Sequence, residues 1–68
     1  MKDERERATM VLEAIKNAAP NGFVTAFKFS QAMRDAGLDE SVVLPGLEFA
    51  LEQGMLLKKG GNYYLVEG

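Results

Sequence analysis

The sequence predicts an α+β fold, three helices followed by a C-terminal β-hairpin, in a single domain over residues 1–68. Three observations predict it. Apolar residues between Ala8 and Ala19 recur at helical spacing. Gly37-Leu38-Asp39 has the chemistry of a helix stop followed at once by a helix start. Gly60-Gly61 lies between the apolar pair Leu56-Leu57 and the run Tyr63-Tyr64-Leu65-Val66, as a two-residue hairpin turn requires.

Helix 1 is expected from about Asp3 to Ala19. At about 100° per residue, Ala8, Val11, Leu12, Ile15, Ala18 and Ala19 share one face, with Glu6, Thr9, Glu13 and Lys16 on the other. Pro20-Asn21-Gly22 ends the helix with turn chemistry. Phe23-Val24 is a short apolar piece able to pair with the hairpin as a third strand, and Thr25 is a natural N-cap. Helix 2 follows over about Ala26 to Ala36, its buried side made of Phe29, Ala32, Met33 and Ala36. Gly37 supplies a left-handed stop with Leu38 folding back as its hydrophobic contact.

Asp39 caps helix 3, and Glu40 in the first turn suits the helix dipole. Val43, Leu47, Ala50 and Leu51 form the expected core stripe, and Gly54 ends the helix. Pro45 allows two arrangements. Either the helix is continuous and carries a cost of roughly 3 kcal/mol, or Asp39–Leu44 is a separate turn and Pro45 opens the main helix. The Gly60-Gly61 turn fixes the hairpin register. It pairs Leu57 with Tyr64 on one face and puts Leu56, Lys58, Tyr63 and Leu65 on the other.

Composition narrows the chemistry. At 47% hydrophobic and 26% charged the chain is an ordinary globular domain. Eight Lys+Arg against ten Asp+Glu give a formal charge of −2, which opposes tight non-specific binding to phosphates. There is no Cys and no His, and the hydroxyls besides the tyrosines are Thr9, Thr25, Ser30 and Ser41. A nucleophile would lack its usual activating base, and Glu48 with Glu52 reads as a solvated face and not a catalytic dyad. The expectation is therefore no enzyme, no cofactor, no metal and no small-molecule substrate. The charged opening Met1 to Arg7 is unlike a signal peptide, and no apolar run nears the roughly 20 residues that cross a bilayer. Cytoplasm, with no membrane, is the expected location.

The order of helix 1, turn, helix 2, Gly37-Leu38, helix 3 and hairpin resembles the winged helix-turn-helix superfamily over nearly the whole chain. The resemblance implies that helix 3 is the recognition helix and the hairpin a wing. It also implies either DNA binding or protein interaction, since the superfamily includes both. In its DNA-binding members, residues near the start of the recognition helix reach base edges. The matching residues here are Glu40, Ser41, Val42, Leu44 and Pro45, none of which makes bidentate base contacts.

Two functions are expected from this. In the first, a small DNA-associated transcriptional regulator, dimeric, touches the DNA backbone weakly through Lys58 and Lys59 on the wing, with Lys28 and Arg34 on helix 2. In the second, a protein-interaction module, for dimerisation or as an adaptor, uses the outer face of helix 3. With a continuous helix, Val42, Pro45 and Phe49 lie opposite the core stripe, and Phe27 points away from the buried side of helix 2. Each of these residues also has an ordinary reading: a solubilising lysine pair at a turn, or single exposed apolar side chains. The resemblance favours the first function, and the acidic balance favours the second.

Overall fold

Local capping chemistry sets the boundaries of the elements. The computed structural model describes residues 2–66. Helix α1 runs Lys2–Ala18, β1 Phe23–Thr25, α2 Ala26–Asp35, α3 Glu40–Glu52, β2 Leu56–Lys59 and β3 Asn62–Leu65. The strands form one antiparallel sheet in the order β1-β3-β2. Phe23-Val24 does pair with the hairpin, with Phe23 opposite Tyr64 and Val24 opposite Tyr63.

Thr25 caps α2, its hydroxyl accepting from the Lys28 N–H at 3.2 Å. At the other end of α2, the Leu38 N–H donates to the Met33 carbonyl and the Gly37 N–H to the Arg34 carbonyl. This pair of bonds needs a left-handed residue at the junction, and Gly37 has φ 75°. The same two bonds close α3, from Met55 to Ala50 and from Gly54 to Leu51. The hairpin turns at Gly60 and Gly61, both at positive φ, in the expected register: Leu57 opposite Tyr64 and Lys58 opposite Tyr63.

The core lies between the helices and one face of the sheet. Ala8, Val11, Ala14, Ile15 and Ala19 of α1 and its exit meet Phe29, Ala32 and Met33 of α2, Ala50 of α3, and Val24, Leu56 and Tyr63 of the sheet. Val11, Ile15 and Leu56 are fully enclosed. Phe29 packs on Tyr63 with ring centroids 4.7 Å apart, which ties α2 to the central strand. Two small corrections concern alanines. Ala18 and Ala36, expected inside, are exposed, while Ala14 is buried. Ala14 is enclosed because α1 packs on both α2 and α3, whereas Ala18 and Ala36 lie where the α1–α2 contact opens to solvent. Ala14, Ala18, Ala32 and Ala36 together line a shallow groove where α1 runs beside α2.

Helix α3 is continuous through Pro45. Proline at this position removes a bond to the Ser41 carbonyl. Ser41 is exposed in the first turn, so water can take the place of the missing donor. The larger correction concerns which face of α3 is inside. Its most buried residues are Gly46 and Ala50, while Val43, Leu47 and Leu51 are half-buried against the core and not at its centre. Gly46 is seated on the backbone of α1. A Cβ at this position would lie 2.7 Å from the Arg7 carbonyl oxygen and 3.0 Å from Val11 Cγ2. The helix turns its glycine to α1 because no other side of it can approach so closely.

Gly46→Ala tests this contact against intrinsic propensity. Alanine is favoured over glycine in a helix by roughly 1 kcal/mol, whereas overpacking costs roughly 1–3 kcal/mol. Because the obstructing atoms belong to backbone, Gly46→Ala is expected to lower the thermal midpoint, and Gly46→Val to lower it further. A rise in stability for Gly46→Ala would show that the two helices separate freely. Leu56→Ala, at an enclosed site on the sheet, is expected to cost roughly 2–5 kcal/mol in denaturant unfolding.

Candidate functional site

The outer face of α3 follows from the position of Gly46. At about 100° per residue, Val42 and Phe49 fall within roughly 60° of Gly46, on the side that approaches α1. Phe49 is accordingly half-buried and packed against the core, and Val42 is half-buried. This corrects the expected outward stripe of Val42, Pro45 and Phe49: all three are half-buried, and of them Pro45 lines the outer groove. Leu44, placed from sequence among the recognition-helix positions, was not counted in the outward apolar stripe. It stands about 200° from Gly46 and is 60% exposed. The signal was Gly46 itself, a small residue in the middle of a helix, where a glycine marks a close approach.

Leu44, Pro45, Leu47, Glu48 and Leu51 line an open groove along this face. A second groove begins on the other side of Leu44 and runs toward α2, lined among others by Ser30, Met33, Arg34, Leu38, Asp39, Glu40 and Val43. Leu44 is the ridge between them. The charges on the face are carboxylates: Glu40, Glu48 and Glu52 are all exposed. Phe27, 75% exposed as expected, precedes Ser30 and Arg34 on the same stripe of α2 at helical spacing.

The four cations chosen from sequence do not form one patch. The Ala26 N–H donates to the Gly61 carbonyl at 3.0 Å, so the hairpin tip is fastened to the start of α2. Thr25, Asn62 and Lys59 lie side by side across the three strands, and Lys28 follows in the first turn of α2. Lys28 and Lys59 thus share one end of the molecule, both exposed. Lys58 points to the opposite sheet face, its Nζ 5.8 Å from the centre of the Tyr63 ring. Arg34 is in the last turn of α2, beside Asp39 and Glu40. The hairpin ends level with β1 and α2, since Asn62, the first residue after the turn, already pairs with Thr25.

The outer sheet face carries a row of Phe23, Tyr64 and Leu57, one residue from each strand. Phe23 and Tyr64 stack with centroids 5.4 Å apart, and Leu57 is 56% exposed. Among the described residues, no group of three His, Cys, Asp or Glu is placed to hold a metal ion. No described helix is long and apolar enough to cross a membrane.

The Asp39 carboxylate is held by its own helix cap. Its Oδ1 accepts from the Ser41 hydroxyl at 2.6 Å and from the Ser41 N–H at 3.1 Å, capping α3. These bonds hold its pKa below the usual aspartate value, the hydroxyl bond contributing most. Comparisons with protein-family models, with curated proteins and with solved structures return no match for this chain.

Two outcomes are expected. The depressed pKa of Asp39 means its stabilising contribution is present above the unfolded value near about 3.9 and is lost as pH falls through the lower folded value. The thermal midpoint of Asp39→Ala should therefore lie below wild type at pH 7, and the gap should narrow below about pH 4. Along α3, Phe49→Asp is expected to cost at least about 2 kcal/mol, because it sets a charge against the core. Leu44→Asp should stay within about 0.5 kcal/mol of wild type. The reverse order in chemical denaturation would put Phe49 outside and Leu44 inside.

Proposed function

We propose that this chain is a winged helix-turn-helix domain acting as a non-enzymatic protein-interaction module, with the outer face of α3 as its binding surface. The order of elements and the sheet order β1-β3-β2 support the winged-helix reading. The observation that carries the functional reading is Leu44, 60% exposed on a face whose charges are carboxylates. In a DNA groove Glu40, Glu48 and Glu52 would face phosphate, and Leu44 would have little to contact beyond a thymine methyl. Against a protein surface Leu44 and its groove offer apolar area bordered by charge, which is the arrangement of an interface core and rim. The hairpin supports the same reading, because it ends level with the rest of the sheet and does not reach past it.

One observation favours a second reading, a DNA-associated regulator that touches backbone phosphates. Lys28 and Lys59 stand at the end where α2 begins, and a helix N-terminus attracts anions. A titration with mixed-sequence duplex DNA at low and moderate salt, followed by fluorescence anisotropy, separates the two. Binding is expected to be weak and indifferent to sequence, to vanish at moderate salt, and to be abolished by Lys28→Glu with Lys59→Glu. Tight, sequence-selective binding at physiological salt would overturn the protein-interaction reading.

A further inference from the structure

Resting on the protein-interaction reading, we infer that the partner of the α3 face is a basic amphipathic segment and not a second copy of this chain. From Asp39 to Gln53 the sequence holds four carboxylates and no Lys or Arg. Glu48 lines the apolar groove itself, beside Leu44, Pro45, Leu47 and Leu51, and none of these five residues carries positive charge. Glu40 borders the groove across Leu44, and Glu52, one turn on from Glu48, is exposed. Arg34 is the cation that borders this region from α2, and it stands on the far side of Leu44 next to Asp39 and Glu40. Lys58 and Lys59 belong to β2 of the sheet and are absent from both groove linings.

Charge decides between the two occupants. A two-fold contact sets a patch against itself, so Glu48 of one copy would meet the Glu48 region of the other. Like charges brought together at an interface disfavour it. A helix with apolar side chains at positions three and four apart fits the groove, and Lys or Arg on its flanks would meet Glu40, Glu48 and Glu52. Each such exposed pair changes affinity by about two- to five-fold, so charge gives the face selectivity while Leu44 and its neighbours give it contact area.

The test is a displayed peptide library with an apolar stripe fixed at helical spacing and the remaining positions drawn from Lys, Glu, Gln and Ser. It is selected on the full-length chain, on Glu48→Lys and on Leu44→Asp, each first shown to keep the wild-type helical circular dichroism. If Leu44→Asp loses its fold, Leu44→Gln takes its place. The expected result is enrichment of Lys over Glu on the wild-type chain, by about two- to five-fold for each position facing a carboxylate. This preference should shift toward Glu on Glu48→Lys, and the selected pool should be lost on the Leu44 variant. A Leu44-dependent pool without charge preference would overturn the inference and leave the interaction reading standing. No Leu44-dependent pool would overturn both. Sedimentation equilibrium showing a wild-type dimer that Leu44→Asp dissociates would also overturn the inference, by making a second copy the occupant.

Discussion

The seat of Gly46 on the backbone of α1 is the constraint from which the rest of the molecule follows. With a Cβ position only 2.7 Å from the Arg7 carbonyl oxygen, this side of α3 can face nothing larger than hydrogen. The rotation of α3 is fixed by that contact. Ala50, one turn on, is then enclosed, and Phe49 folds toward the core. Leu44 has no alternative to the outside. The helix pair in turn sets the surface on which Val24, Leu56 and Tyr63 close the core from the sheet side. In a domain of 68 residues little apolar area is spare, so one close approach governs a large share of the packing.

Where local chemistry decides, the sequence was legible. Thr25 and Asp39 cap their helices because short oxygen-bearing side chains suit first-turn amides. Gly37 and the Gly60-Gly61 turn announce themselves because few other residues accept positive φ. From that turn the strand register follows without further information, down to Leu57 opposite Tyr64. The rotation of α3 was not legible in the same way. Val42, Val43, Leu44, Leu47, Phe49 and Leu51 make the helix apolar nearly all round, so periodicity singles out no face. The deciding residue was a glycine, which contributes nothing to an apolar count.

The corrected face changes which residues bear on function. Phe49, the aromatic that most resembled an anchor, serves the core, and a leucine two helical positions from Gly46 stands in the open. Interface anchors are recognised by exposure and surroundings more than by residue type. Here the surroundings are carboxylates on α3 and a lone arginine on α2. The cations gathered by the hairpin turn belong to another part of the surface.

The sheet order gives those hairpin lysines a further consequence. With β3 in the centre, β2 is an edge strand, and its outer backbone groups can template a strand from another chain. Leu56-Leu57 begins that edge with the apolar character that invites such addition, and Lys58-Lys59 completes it with paired positive charge. A parallel, in-register strand of the same sequence would lay Lys58 beside Lys58 and Lys59 beside Lys59. The second half of this edge therefore disfavours parallel growth of the sheet from one molecule into the next.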